Sequence, residues 1–246
     1  MRSHEAVLLL NRPRPAAERF VSGLPGSVLD RVQVCFAPLV GIRPVDSPID
    51  WQDARGIIFT SSNGVAAASA ADTFRGFPCY CVGRATTAAA KAAGWAAQMA
   101  GQTADDLVAT LQNEAKTGPL LHLHGRHTRG DIAARLTASG LKTRAQVLYD
   151  QDLLPFTDAA QRVLRADLPV ITLLFSPRTA RHFAQTVQYS APLWLGALSD
   201  AVAKPLFSLE KAPIEVAKSP DAESMGEVLE ILLNRASRVE AGQGEY

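Results

Sequence analysis

The sequence predicts an α/β protein made of two similar domains, each built around a parallel, flavodoxin-like sheet. Short apolar runs alternate with amphipathic or Ala-rich segments along most of the chain, which is typical of parallel sheets covered by helices on both faces. In addition, the first half of the chain returns in disguised form about 115 residues later. A repeat of domain size indicates two similar domains with a cleft between them and excludes a solenoid.

The repeat rests on blocks of sequence whose separation stays nearly constant. The paired blocks are residues 7–12 with 121–126, 32–35 with 145–148, 57–63 with 172–178, and 81–86 with 195–199. A steady separation across these blocks indicates a duplicated domain.

The individual elements follow from the same alternation. Predicted strands precede predicted helices at 7–10 and 15–24, 57–60 and 64–74, 80–82 and 87–93, 120–123 and 130–139, 171–175 and 179–187, 193–197 and 200–206, and 214–217 and 222–233. The repeat blocks at 32–35 and 145–148 and a weaker strand at 96–100 bring the total to about ten, which suits two sheets of five.

Two stretches rich in Pro and Asp, 38–48 and 150–158, lack periodicity and mark the domain seams. If the chain crosses between domains at both, residues 43–150 form one domain, and residues 1–38 with 156–246 form the other. The connecting segments 39–42 and 151–155 then form a two-stranded β hinge.

Composition excludes several classes of protein. Apolar residues make up 47% of the chain and charged residues 20%, with a net charge of +1, so neither disorder nor a basic nucleic-acid surface is predicted. The N-terminal apolar run, Val7–Leu10, is too short for a signal peptide or a membrane span, and we expect a cytoplasmic protein. Cys35, Cys79 and Cys81 lack CxxC spacing and indicate neither a metal site nor a disulfide.

The predicted strands end in residues that favour helix starts. Such residues follow the strands in both domains, at 61–63, 83–87, 125–128, 176–179, 199–200 and 219–220. Plain helix capping, worth ~1 kcal/mol per helix, explains any one of them. Repeated on one edge of both sheets, they favour a site that holds a polyanionic small molecule through backbone N–H groups.

Other chemical motifs are weak. His122 and His124 share a strand face but lack a third metal ligand, so we expect ordinary strand residues. Residues 125–130 lack the Lys-Ser/Thr end of a P-loop, and no acid–base pair stands out. Tyr149 follows a predicted strand, where its hydroxyl either projects toward the cleft or packs under the hinge.

Motifs in the expected order resemble the uroporphyrinogen-III synthase family. They are Phe-Thr-Ser-Ser-Asn-Gly-Val at 59–65, Cys-Val-Gly-Arg-Ala-Thr at 81–86, Leu-Tyr-Asp at 148–150, and Phe-Ser-Pro-Arg-Thr-Ala at 175–180. The resemblance covers roughly residues 7–233 and implies two α/β domains joined by a two-stranded ladder. It also implies a cofactor-free and metal-free hydro-lyase of tetrapyrrole biosynthesis, which cyclises hydroxymethylbilane with loss of water and inversion of ring D.

The same resemblance implies roles for particular residues. Tyr149 matches the family's hinge-side Tyr, the catalytic residue that assists departure of the substrate hydroxyl group. The residues implied to bind substrate are Thr60, Ser61, Ser62, Gly83, Thr86, Gly125, Arg126, Ser176 and Ser199. Ser199 stands where the family often has Thr, and a Ser can replace Thr as helix cap and hydrogen-bond donor. Arg126 either contacts a carboxylate or is solvated.

Rival functions remain open at this point. Two lobes and a hinge also describe a non-catalytic binding protein for a polyanionic small molecule, and an inactive family member would serve an assembly role. A phosphoryl-transfer pair of regulatory domains would need acidic strand ends, where this chain has Ser, Thr, Gly and Asn. We expect a monomer that binds a tetrapyrrole and no nucleic acid or membrane, with transient contact to hydroxymethylbilane synthase as the implied protein partner.

Overall fold

The computed structural model describes residues 4–113, 118–128 and 130–243. Its strands are β1 (Ala6–Leu10), β2 (Val32–Phe36), β3 (Val40–Pro44), β4 (Gly56–Phe59), β5 (Pro78–Val82), β6 (Ala96–Gly101), β7 (Leu120–Gly125), β8 (Thr143–Leu153), β9 (Val170–Leu174), β10 (Leu193–Ala197) and β11 (Ile214–Val216). Its α-helices are α1 (Arg14–Ser22), α2 (Gly26–Leu29), α3 (Ser62–Ala71), α4 (Arg84–Ala92), α5 (Ala104–Asn113), α6 (Ile132–Ala138), α7 (Asp158–Val163), α8 (Pro177–Thr186), α9 (Asp200–Ala203) and α10 (Ala222–Gln243). A short 3-10 helix, Lys204–Ser208, follows α9.

The chain divides into two compact units. Unit 1 combines Met1–Gly41 with Leu153–Tyr246, and unit 2 is Ile42–Asp152. The unit 1 sheet has the strand order β11-β10-β9-β1-β2, with every neighbouring pair parallel. The unit 2 sheet has the order β3-β8-β7-β4-β5-β6, and the pairs from β8 to β6 are parallel. The predicted α/β class with two parallel sheets is therefore confirmed.

The two sheets have the same spatial order of strands, but the chain begins at a different strand in each, so that one order is a circular permutation of the other. The unit 1 order β2-β1-β9-β10-β11 matches β8-β7-β4-β5-β6 in unit 2, and both follow the flavodoxin-like arrangement. The repeated sequence blocks fall on corresponding strands, with β1 matching β7 and β2 matching β8. Residues that match in the repeat therefore occupy matching positions in the two sheets.

Each sheet is buried on both faces because consecutive residues of its central strands are apolar and point alternately to the two faces. In β1, Leu8 and Leu10 pack with α1 and α10, whereas Val7 and Leu9 pack with α8 on the other face. In unit 2, α3 and α4 cover one face of the sheet, and α5 and α6 cover the other. Each fully buried large side chain in these cores contributes about 1.5–3 kcal/mol. The described residues contain no helix long and apolar enough to cross a bilayer.

Two predictions about the elements were wrong. The strand expected to end at Leu148 continues to Leu153, because β3 lies beside β8 and pairs with its backbone, as in the bond from Val45 N–H to Leu148 C=O. The second sheet accordingly has a sixth strand. The alternation pattern also missed the short helices α2 and α7 and the longer α5, which buries Leu107, Val108 and Leu111.

Candidate active site

The structure brings the predicted residues of unit 2 to one edge of its sheet. Neighbouring parallel strands end there, and their carboxyl ends are the usual ligand-binding edge of such sheets. Thr60, Ser61 and Ser62 follow β4, and Gly83 and Thr86 follow β5. Gly125 ends β7, Arg126 comes directly after it, and Tyr149 lies in β8. In unit 1, Ser176 and Ser199 follow the neighbouring strands β9 and β10.

The start of α3 is held by Ser61. Its extended backbone (φ −155°, ψ 143°) turns the side chain onto the helix, where Oγ accepts from the N–H of Asn63 at 3.1 Å. Gly64, in the first turn, lies so close to β7 that a Cβ there would be 3.1 Å from the Leu123 carbonyl oxygen. These two residues fix the helix start at the edge of the sheet.

The start of α4 depends on Gly83, which has a φ of +78° that other residues rarely adopt. Thr87, the last residue of the predicted strand-end segment 83–87, donates from Oγ1 to the Gly83 carbonyl at 2.9 Å. Thr86 is buried in the same first turn. The first N–H groups of any α-helix lack intrahelical acceptors, so α3 and α4 both present donors suited to an anion.

Tyr149 lies under this edge with only 3% of its surface exposed. Burial raises the pKa of its phenol, while hydrogen bonds with the Ser61 side chain and the Gly125 backbone act in the opposite direction. Because the net shift is upward, the hydroxyl stays protonated at neutral pH and can act as a donor. The ring is packed in the unit 2 core, and the hydroxyl lies at the strand ends beside Ser61.

Arg126 is bound to a carboxylate of its own chain. Its Nε lies 2.8 Å from Oδ2 of Asp150, and Nη2 of Arg43 lies 3.6 Å from the same oxygen. The hydrogen bond from Arg126 is the largest cause that holds the pKa of Asp150 low, followed by the N–H of Gln151. A substrate carboxylate that approaches Arg126 would therefore compete with Asp150.

His122 supports Thr60 from within β7. Its Nε2 lies 3.4 Å from Thr60 Oγ1, and its ring stacks on His124 with centroids 4.7 Å apart. Burial, helped by the neighbouring His124, lowers the pKa of His122 to about 3, so the ring is neutral. Within the described residues, no group of three or more His, Cys, Asp or Glu side chains could hold a metal ion.

Ser176 and Ser199 behave differently at the edge of the unit 1 sheet. Ser176 caps α8, accepting from the N–H of Thr179 at 3.1 Å, and its hydroxyl is 2.8 Å from Thr179 Oγ1. Ser199 occupies the N-cap position of α9, but its side chain makes no capping hydrogen bond. Ser199 thus lies at the predicted N-cap position, where its carbonyl accepts from the N–H groups of Val202 and Ala203 while its hydroxyl makes no capping bond.

Arg12, which was not among the predicted site residues, lies two residues after the end of β1. Its guanidinium lies over the ring of Phe175, 4.0 Å from the centroid, and burial lowers its pKa to about 10. A signal was present, because Arg12 occupies the position in the repeat that matches Arg126.

The chain resembles uroporphyrinogen-III synthases in sequence and in fold. A sequence model of the family described as "Uroporphyrinogen-III synthase HemD" matches residues 31–227. The crystal structure of uroporphyrinogen-III synthetase from Helicobacter pylori superimposes with a TM-score of 0.64 at 16% identity, covering 92% of this chain and 99% of that one. The wild-type uroporphyrinogen III synthase from Thermus thermophilus matches with a TM-score of 0.41 at 14% identity, over 96% and 100% of the chains. No curated protein sequence matches the chain.

Proposed function

Because the chain belongs to the uroporphyrinogen-III synthase family, we propose that it cyclises hydroxymethylbilane to uroporphyrinogen III, with loss of water and inversion of ring D. Membership of this family makes the protein an enzyme of tetrapyrrole and heme biosynthesis. That the reaction is of the hydro-lyase class is our proposal. The observation that carries the proposal is the family match over residues 31–227, which includes strand ends of both sheets and Tyr149.

The chemistry of the substrate suits these strand ends. Hydroxymethylbilane carries eight carboxylates, and the starts of α3, α4 and α8 offer backbone N–H groups to anions. A net charge of +1 leaves the surface without a strong basic field, so binding relies on local donors. We assign substrate binding to Thr60, Ser61, Ser62, Gly83, Thr86, Gly125, Arg126, Ser176 and Ser199.

Tyr149 is the proposed catalytic residue. Its phenol, kept protonated by burial, donates a proton as the C–O bond of the hydroxymethyl group on ring A breaks, so that water leaves and an electrophilic azafulvene remains on ring A, at the opposite end of the bilane from ring D. Attack through the substituted carbon of ring D gives a spiro intermediate, which fragments and closes again with that ring inverted. The substrate supplies both electrophile and nucleophile, so the enzyme's task is to orient it and stabilise charge.

The proposal extends to organisation. One domain would consist of residues 1–38 and 156–246 and the other of residues 43–150, with segments 39–42 and 151–155 as the hinge. The protein would be a cytoplasmic monomer without a cofactor, in transient contact with hydroxymethylbilane synthase. The rival, a binding protein without catalytic activity, has no specific observation in its favour.

An isomer assay tests the function. Hydroxymethylbilane is generated in place by its synthase, the protein is added, and the products are oxidised and separated as type I and type III uroporphyrins. Without a synthase the bilane closes to type I, so a protein-dependent switch to type III is expected. Type I alone, from folded protein, would contradict the proposal and leave a two-unit anion-binding protein.

A further inference from the structure

The surroundings of Arg12 are unusual for an arginine. Its guanidinium stacks on Phe175, and that ring in turn meets Phe20 edge-on at 5.3 Å between centroids. Its Nε is buried and has no hydrogen-bond partner, and no carboxylate in the described part of the chain forms an ion pair with Arg12. Arg19, the charge that acts on it most, is another cation.

Leaving a partly buried guanidinium unpaired costs stability. A buried cation is normally compensated by a carboxylate or by a full set of hydrogen-bond acceptors. Arg12 has lost hydration without gaining a carboxylate partner, and the pKa of about 10 still leaves it charged at neutral pH. An unpaired charge that lowers stability is expected where a residue binds a ligand and does not stabilise the folded chain.

The internal repeat shows that unit 1 lacks the compensating group. Arg126, the counterpart of Arg12, is bound by Asp150 in β8. The position that matches Asp150 in unit 1 is Ala37, a buried apolar residue directly after β2. Of the two matching arginines, Arg126 is therefore neutralised within its unit, whereas for Arg12 the chain position that matches the carboxylate partner holds an alanine.

We propose that Arg12 binds a carboxylate of the substrate at the carboxyl edge of the unit 1 sheet. This rests on the proposed function, which supplies an octacarboxylate. Phe175, on which the guanidinium stacks, immediately precedes Ser176, the N-cap of α8. The guanidinium and the N–H groups at the start of α8 therefore lie at the same edge of the sheet. A planar guanidinium can bind a carboxylate through two parallel hydrogen bonds.

The test uses Arg12→Met, which removes the charge, keeps the length and can still pack on Phe175. We expect its KM for hydroxymethylbilane to rise at least tenfold with kcat within twofold, and its midpoint of thermal unfolding to equal or exceed that of the unaltered protein. Arg12→Lys, which keeps the charge but loses the planar fork, is expected to give a smaller rise. Calorimetric titration with uroporphyrin III, a stable octacarboxylate, gives a readout that does not require turnover.

Arg14→Met is the matched control. Arg14 also stacks on a phenylalanine, Phe36 at 4.0 Å, but Glu18 already pairs with it at 2.6 Å. Its KM and uroporphyrin affinity are expected to stay within twofold of the unaltered protein.

The outcomes separate the two proposals. Type III product from the unaltered protein establishes the function independently of Arg12. If Arg12→Met then unfolds at a lower temperature, or keeps its KM and its affinity for uroporphyrin, the guanidinium is structural and the inference is overturned. If the unaltered protein makes only type I product, the function fails, and uroporphyrin binding alone decides whether Arg12 holds a carboxylate.

Discussion

The phenol ring of Tyr149 lies directly on the backbone of Gly125. A Cβ at position 125 would be 2.5 Å from two carbons of the ring and 2.9 Å from its hydroxyl oxygen. The ring also borders Gly64, where a Cβ would be 3.9 Å from Cε1. Gly125 is thus the residue that makes room for the buried ring of Tyr149, whose hydroxyl interacts with the Ser61 side chain and the Gly125 backbone.

We expect Gly125→Ala to destabilise the protein by about 1–3 kcal/mol, because the added methyl group overpacks against the ring. In a Tyr149→Leu background, the same change is expected to cost less than half as much. Urea unfolding of the four proteins of this double-mutant cycle measures the coupling. Gly26→Ala is the control, since a Cβ there meets nothing within 4 Å; equal costs in both backgrounds would show that the ring is not the cause.

Tyr149→Phe is expected to lower turnover at least tenfold while it costs only about 1 kcal/mol of stability, the usual value of one hydrogen bond. Initial rates of type III formation check the first part, and urea unfolding checks the second. Tyr80→Phe is the matched control, because Tyr80 is also buried but lies within β5, on the face covered by α5 and α6. Near-normal turnover of Tyr149→Phe would remove the phenol from the mechanism.

Ser176→Asp separates capping from substrate binding. Asp caps helices as well as Ser does and interacts favourably with the helix N-terminus, so the unfolding midpoint should be unchanged or higher. The added negative charge should repel the substrate carboxylates and raise KM at least tenfold. Ser190→Asp adds the same charge to an exposed residue that precedes β10, and its KM should be unchanged. A rise of similar size in both variants would point to a general charge effect.

His122 should make the protein sensitive to acid. Its pKa is about 3 in the folded state and near 6.5 when unfolded, so over that interval only the unfolded chain binds the proton. Stability is therefore complete above about pH 6.5 and falls by as much as about 1.4 kcal/mol per pH unit as the pH drops toward 3.

Urea unfolding between pH 7 and pH 4 checks this behaviour. His122→Gln is expected to flatten the acid decline relative to the unaltered protein. His4→Gln, which removes an exposed imidazole, is expected to leave the decline as it was. Parallel declines for all three proteins would assign the acid sensitivity to other groups.

Most strands and helices could be located from the sequence, because a strand buried on both faces is a continuous run of apolar residues. The strands at 7–10 and 171–175 read as continuous apolar runs, and they are fully or almost fully buried in β1 and β9. The helix α5 also carried a signal, with Leu107, Val108 and Leu111 on one side, but its polar start concealed it. The sequence predicted pairing here only as a separate hinge of residues 39–42 and 151–155. It did not show that β8 runs unbroken from Thr143 to Leu153, because the pairing that satisfies its backbone comes from β3, about a hundred residues away in the chain.

The candidate site shows a similar division. Cap residues such as Ser61 and Ser176 are local features, so sequence alone placed them at helix starts. Ser199 has the same residue type without the capping bond. The partner of Arg126 was left open between a carboxylate and solvent, and the structure supplies Asp150 from the adjacent strand.

The sequence by itself determined the α/β class, the repeat and the family, because these depend on the order of residues along the chain. Only the tertiary structure decided the protonation and pairing of individual side chains. Tyr149 is kept neutral by burial, Arg126 is neutralised by Asp150, and Arg12 has no carboxylate partner among the described residues. Desolvation and charge pairing depend on distances between atoms from separate strands, and spacing along the chain does not fix those distances.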